Sequence, residues 1–287
     1  MKVQVMKKEI FKMFFLFVIP VVLFTGCGSK KNVETSGLKI SVSIPAYKGI
    51  TERIGGTKAD VVCLLRPGIN PEEFDPSPDI LKSAAGSDLY IRVGDFFDFE
   101  NIWLGKITAL NKELKIFDSS TGINEIDHNH HVWNGTGEVK IIAKNIYEKL
   151  KTIDPENADY YSINYKKYIS DVDSVDDYVK GKLSGLKIRT ILTYHPAWIY
   201  FASSYGLDQI SIEDHGKMPR TKDLTKLVNK AKDLGLKVIF VQPQFDNNTA
   251  RIIAGEIGAK LIEIDPLSEN FLTNLVDIAD KIEKYNE

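Results

Sequence analysis

Two of the chain's five histidines sit in similar settings, His131 in His130-His131-Val132-Trp133 and His195 in Tyr194-His195-Pro196-Ala197-Trp198. Neutral imidazole is the commonest side-chain ligand of transition metals. A histidine followed closely by a large aromatic, once in each half, points to two lobes that each lend an imidazole to a shared cleft. Val132-Trp133 anchors the backbone beside His131 and fixes the direction of its ring, as a metal ligand requires. His195 ends the run Ile191-Leu192-Thr193-Tyr194, and Pro196 opens a helix expected over Ala197 to Tyr205, stopped by Gly206. It therefore lies at a strand's carboxyl end, where open α/β sheets place their ligands. The alternative is a core histidine bonded to a backbone carbonyl. His128 and His130 read as members of a solvated polar loop.

The carboxylates carry less specific signals. Asp265 follows Leu261-Ile262-Glu263-Ile264 and precedes Pro266, so it could face the same cleft, although an isolated Asp-Pro is most often a turn or cap. Glu72 lies in the proline-rich stretch Arg66 to Pro78, where a glutamate taken alone is more often solvated than functional. Glu213 and His215, in Ser211-Ile212-Glu213-Asp214-His215-Gly216-Lys217, follow a strand end and are possible substitute ligands, His215 the better of the two.

Short apolar runs alternate with helical patterns and set the frame for these residues. Strands are expected at Leu38 to Ile44, Asp60 to Leu65, Asp88 to Val93 and Leu114 to Phe117, then at Ile188 to Tyr194, Gln209 to Glu213, Lys237 to Val241 and Lys260 to Ile264. Helices expected at Thr221 to Leu234 and Asn247 to Ile257 are closed by Gly235 and Gly258. Strand and helix in alternation mean parallel sheets covered by helices, one four-stranded sheet in each half. Between the halves, a helix from Glu138 to Ile153 is interrupted at Asp154-Pro155. A second follows from Glu156 to Leu183, with Asp154 as its N-cap and Pro155 in its first turn. Tyr161, Tyr165, Tyr168, Val172, Val175 and Val179 give it an apolar stripe. At about 1.5 Å per residue it is roughly 40 Å long, enough to run the length of both lobes as a stiff linker.

Composition and the first residues bound the setting. Lys plus Arg is 37 and Asp plus Glu is 39, and the net charge of -2 gives no reason to expect nucleic acid. Lys2, Lys7, Lys8 and Lys12 precede the apolar run Met13 to Phe24, too short to cross a bilayer and followed by Thr25-Gly26-Cys27. Residues 1–26 read as a signal peptide and 27–37 as a flexible tether. The residues before Cys27 resemble a bacterial lipobox, in which the cysteine is acylated, although Phe24 stands where Leu, Val or Ile is usual. Cys63, in an apolar run, reads as a buried core thiol. The lobes are then 38–155 and 185–287, joined by the linker helix 156–184.

Longer motifs carry a resemblance to a family that covers essentially the whole mature chain. Pro67 to Pro78 resembles the loop Pro-Gly-x-x-Pro-His-x-Tyr-Glu-Pro-Ser-Pro of the metal-binding receptors of bacterial ABC importers, the zinc and manganese cluster. Asn129 to Trp133 resembles that family's Asp-Pro-His-x-Trp. His195 to Trp198 with Tyr205-Gly206-Leu207 resembles its third motif, and Ile239 to Gln244 and Asp265-Pro266-Leu267 resemble its C-terminal lobe. The resemblance implies two α/β lobes joined by a rigid backbone helix, with the metal between them on Glu72, His131, His195 and Asp265. Glu72 stands where the family has its first histidine. Carboxylates shift preference toward harder ions such as Mn²⁺ or Fe²⁺, yet zinc accepts His with Glu or Asp and binds more tightly on raw affinity.

The expected function is thus capture of a divalent metal ion, Zn²⁺ ahead of Mn²⁺ or Fe²⁺, by a monomeric receptor that delivers it to the permease of an ABC importer. Its place is outside the cell membrane, held there by lipid on Cys27. Two other readings use the same residues. A metallohydrolase needs a general base, for which Glu73 is the candidate, and the zinc-protease His-Glu-x-x-His helix is absent. A lipoprotein adhesin or receptor for another solute needs no metal transport.

Overall fold

The computed structural model describes residues 37–213 and 220–285. The signal peptide, Cys27, the tether up to residue 36 and His215 lie outside the described residues. Among those described, no helix is long and apolar enough to cross a membrane.

The N-terminal half runs β1 (Leu38–Val42), α1 (Pro45–Gly55), β2 (Ala59–Cys63), α2 (Pro78–Ala85), β3 (Leu89–Arg92), α3 (Asp98–Leu110) and β4 (Lys115–Asp118). Two long helices follow, α4 (Thr136–Ile153) and α5 (Ala158–Leu183). The C-terminal half is β5 (Thr190–Thr193), α6 (Ile199–Ser204), β6 (Asp208–Ser211), α7 (Thr221–Asp233), β7 (Val238–Val241), α8 (Asn248–Ile257), β8 (Lys260–Glu263) and α9 (Phe271–Tyr285). Each half forms a four-stranded, all-parallel sheet, ordered β2-β1-β3-β4 and β6-β5-β7-β8. In both, the strand order reverses beside the first strand, which opens a crevice at the carboxyl ends.

Most strands are shorter than their apolar runs suggest, by one to three residues at their ends. The helix expected over Ala197 to Tyr205 begins only at Ile199, since Pro196 and Ala197 form a separate turn. Asp154 does not cap the linker helix through a backbone N–H. Pro155–Asn157 instead forms a 3₁₀ turn, and Asp154 Oδ2 accepts bonds from Asn157 Nδ2 at 2.8 Å and the Tyr161 hydroxyl at 2.5 Å. Gly235 and Gly258 end their helices in the left-handed conformation, with φ of 67° and 69°.

The linker helix α5 packs on α1 and α4 on one side and on α9 on the other. Its stripe is buried at Tyr161, Tyr168, Val172 and Val179. Asp176 is buried with them, where Thr136 of α4 and Tyr205 after α6 each donate to Oδ1 at 3.0 Å and Lys180 donates to Oδ2 at 2.8 Å. Burial alone would raise the Asp176 pKa, but these donors outweigh it and hold the group below its ordinary value. The apolar core is continuous from the first sheet through α5, α6 and α9. Only the face of the second sheet under α7 and α8 has a separate core.

Close approach between the halves is tightest at Gly49 of α1, where an added Cβ would lie 1.9 Å from the Glu269 carbonyl oxygen. Gly49→Ala should therefore destabilise the protein by about 1–3 kcal/mol in denaturant unfolding. Gly105→Ala, in a helix interior with nothing within 4 Å of the new methyl, should be neutral or stabilising by about 0.5–1 kcal/mol. Equal effects at the two positions would refute the close packing.

Glu100 is fully buried near the start of α3. Its carboxylate accepts the N–H of Val93 at 2.9 Å, that of Gly94 at 3.4 Å and the Ser43 hydroxyl. Loss of hydration outweighs these bonds and pushes its pKa up to about 7. Below pH 4.5, the ordinary value, the group is protonated folded and unfolded, and its contribution is at its maximum. From there to about 7 the unfolded chain releases the proton while the folded one keeps it, so stability falls as pH rises and then levels off. The expected loss is on the order of 3 kcal/mol in urea titrations across that window, and Glu100→Gln should remove it. Identical pH profiles for the two proteins would contradict this.

Candidate metal centre

Strand register assembles the C-terminal side of the site. Ser211 of β6, Thr193 of β5 and Phe240 of β7 lie in one row across the sheet. Two residues beyond that row come Glu213, His195 and Gln242, side by side at the carboxyl ends. Gln242 is fully buried and brackets the His195 backbone, accepting its N–H at 3.3 Å and donating to its carbonyl at 3.1 Å. Glu213 Oε2 lies 2.7 Å from His195 Nδ1. Phe245 stacks on the ring at 4.6 Å between centroids.

The N-terminal side is built by the loop after β4. Asn129 Oδ1 accepts both the backbone N–H and the Nδ1–H of His131, each at 2.9 Å. Its amide nitrogen donates across the cleft to the Pro196 carbonyl at 2.7 Å. These partners admit one amide orientation, because a backbone N–H only donates and a carbonyl only accepts. The same loop is latched to the other lobe four more times: Tyr200 OH to the Asn129 carbonyl at 2.8 Å, the Ile126 N–H to the Tyr200 hydroxyl at 3.1 Å, Asn134 Nδ2 to the Ala197 carbonyl at 3.0 Å, and Trp133 Nε1 to the Pro266 carbonyl at 2.7 Å. Asn129 thus aims one imidazole while gripping the residue next to the other.

These bonds fix the tautomers. With Nδ1 of His131 facing an amide oxygen and Nδ1 of His195 facing a carboxylate, each neutral ring carries its proton on Nδ1 and its lone pair on Nε2. The two Nε2 atoms are 3.1 Å apart, both rings being almost wholly buried. Two lone pairs at that distance repel unless a cation lies between them, either a shared proton or a metal ion. A tetrahedral ion with metal–nitrogen bonds of about 2.0–2.1 Å holds two nitrogens about 3.3–3.4 Å apart, close to what the fold provides. Glu72 Oε1 lies 3.6 Å from His195 Nε2, a fitting distance for a third donor. Its N–H is bonded to Asn70 Oδ1 at 3.0 Å, which shapes the turn that carries it.

The sequence-expected residues are therefore unequally placed. Glu72, His131 and His195 converge. Glu72, His195 and Glu213 also form a group with one potential ligand atom each within 4.8 Å of one another, yet the 2.7 Å bond to Nδ1 makes Glu213 the orienting partner of His195. Asp265 falls one residue beyond the row that holds Gln242, opposite Ile264. Its Oδ1 accepts Gln244 Nε2 at 2.6 Å and the Leu267 N–H at 3.0 Å. His128 is solvated as expected, its side chain 97% exposed. His130 is not: its ring packs 4.1 Å from that of His131 and 5.5 Å from that of Phe97, because the turn at Asp127 and His128, both with positive φ, swings it inward. Asn129 and Gln242 carry no ligand signal of their own in the sequence, and only their positions two residues from His131 and from a strand end hint at their roles.

The family described as zinc-uptake complex component A, periplasmic, matches residues 40–285, and the chain belongs to it. The manganese ABC transporter substrate-binding lipoprotein PsaA of Streptococcus mitis is 26% identical over 269 residues, 86% of this chain and 86% of the relative. The high-affinity zinc uptake system protein ZnuA of Bacillus subtilis is 27% identical over 273 residues, 85% of each. A crystal structure of a ZnuA deletion mutant with zinc bound matches with a TM-score of 0.84 at 32% identity, covering 88% of this chain and 98% of that one.

Asn129→Asp keeps the acceptor for His131 but sets a carboxylate against the Pro196 carbonyl, and Asn129→Ala removes both contacts. Each should lower metal affinity by about 10–100-fold in equilibrium dialysis with metal analysis, with Glu213→Gln losing about tenfold. Unchanged affinity in all three would show that ring orientation does not limit binding.

Proposed function

We propose that this member of the zinc-uptake component family is an extracytoplasmic receptor that captures a divalent transition metal ion between its lobes and passes it to the permease of an ABC importer. The observation that carries this reading is the pair of opposed Nε2 atoms 3.1 Å apart, each ring held by an acceptor on Nδ1. Zn²⁺ is the favoured ion, since two imidazoles and a carboxylate suit it and it outcompetes Mn²⁺ and Fe²⁺ on such donors. His131, His195 and Glu72 are the proposed ligands. Asp265 serves the C-terminal lobe as a turn cap through Oδ1, with Oδ2 as the oxygen that remains to approach the ion. Lipid on Cys27 is the proposed anchor, and the chain acts as a monomer.

Release follows from the same geometry. Separating His131 from His195 requires the Asn129–Pro196 bond and its four neighbouring latches to yield. The continuous core around α5 favours a small displacement over a wide hinge. Docking on the permease is the proposed source of that displacement.

Purified protein should retain close to one Zn²⁺ per chain at neutral pH in equilibrium dialysis. His131→Ala should abolish retention, and Glu72→Ala should lower affinity by about 100-fold, the upper end of what supporting groups alone contribute. Affinity should fall on acidification, because protons compete for the same Nε2 lone pairs. A protein that holds no divalent transition metal defeats the proposal, and unchanged affinity in Glu72→Ala removes Glu72 from the ligand set.

A further inference from the structure

The metal cleft has an apolar annex that capture of a hydrated ion does not require. A cavity of about 380 Å³ opens at Glu72, His131 and His195 and extends along the start of α3, with Phe74, Phe96, Phe97, Phe99, Ile102 and Trp103 on one side and Asp98, His128 and His130 as polar edges. The rings form a continuous surface leading to the ligands. Phe74 stacks on Phe99 at 6.0 Å, Phe99 meets Phe97 at 6.0 Å, and Phe97 meets His130, which lies against His131. Ile102 at the rim is 61% exposed, a large apolar side chain held out beside a charged site.

Size argues for an organic occupant. An ion with six waters needs on the order of 200 Å³ at about 30 Å³ per water, and the cavity is larger than that. Cavities of roughly 300–1,000 Å³, mostly apolar with a few polar groups converging at one end, are typical of sites for small molecules. Coordination points the same way. While Asp265 stays a turn cap, His131, His195 and Glu72 give three donors, and zinc held by three protein ligands takes a further one from outside, expanding to five-coordinate when needed. A divalent ion on Glu72 keeps one net positive charge, which a singly charged anion neutralises.

We propose that the cleft binds its ion together with a small monoanionic chelator whose planar aromatic group lies against the partly exposed Phe74, Phe96 and Trp103. This rests on the metal reading above and names the form in which the ion is held. The probe pair is benzohydroxamate and acetohydroxamate, which share donor atoms and charge and differ in a phenyl for a methyl group. Titrated calorimetrically into zinc-loaded protein, benzohydroxamate should bind about tenfold or more tightly than acetohydroxamate, as burial of the ring requires. Neither should bind the zinc-free protein. Trp103→Ala and Phe96→Ala, both at partly exposed positions, should each erase most of that preference while leaving affinity for zinc alone within about twofold. Equal affinity for the two probes, a preference unchanged in both variants, or removal of zinc by the probes in place of binding would overturn the inference while the metal reading stands. Failure of zinc alone to bind would defeat the metal reading itself.

Discussion

Two imidazole nitrogens held 3.1 Å apart, with Nδ1 of each ring on an acceptor, bring two lone pairs together when both rings are neutral, a repulsion that a shared cation relieves. The acceptors on Nδ1, Asn129 on one side and Glu213 on the other, oppose relief of that repulsion by a change of tautomer. The latches between loop 126–134 and segment 196–200 oppose relief by separation. Both nitrogens are thus presented to one point, as in preorganised sites.

The scaffold explains how so small a separation is set from two lobes. His195 lies just past the carboxyl end of β5, His131 and Glu72 lie on loops that follow β4 and β2, and the two sheets share one strand order. Helix α5 ties both to a common core, and Asp176 on it joins α4 to the segment after α6 through Thr136 and Tyr205. Ion pairs between Lys48 and Glu269 and between Lys182 and Glu283 add to the same seam, though exposed pairs of this kind contribute little. A frame of this type resists large hinge motions and makes ångström-scale changes at the loops sufficient to bind or release an ion.

Much of this frame is legible in the sequence because its causes are local. The eight apolar runs, the glycine stops at Gly235 and Gly258 and the stripe from Tyr161 to Val179 each encode an element directly. His131 and His195 stand out by their aromatic neighbours. The roles of Glu213 and Gln242 depend on which strands pair and in what register, a long-range fact that no local pattern carries. Asn129 is further hidden: its function lies in one amide facing two lobes at once. His130 was misread as solvated because the left-handed turn at Asp127 and His128, unusual for non-glycine residues, redirects it toward Phe97. The extent of the larger core, which runs from the first sheet through α5, α6 and α9, is not legible locally, since periodicity shows that a helix has an apolar face but not how many partners share it.

Ion choice follows from the same interplay. In the proposed site the two nitrogens fix the location, and the carboxylate of Glu72 sets the hardness of the sphere. The most direct measurement is anomalous diffraction at the metal edge from crystals of metal-loaded protein. The account requires one peak within bonding distance of Nε2 of both His131 and His195, with Asn129 and Glu213 still on the Nδ1 atoms. A metal bound through Nδ1, or at any place that leaves the two Nε2 atoms facing each other without it, would contradict it.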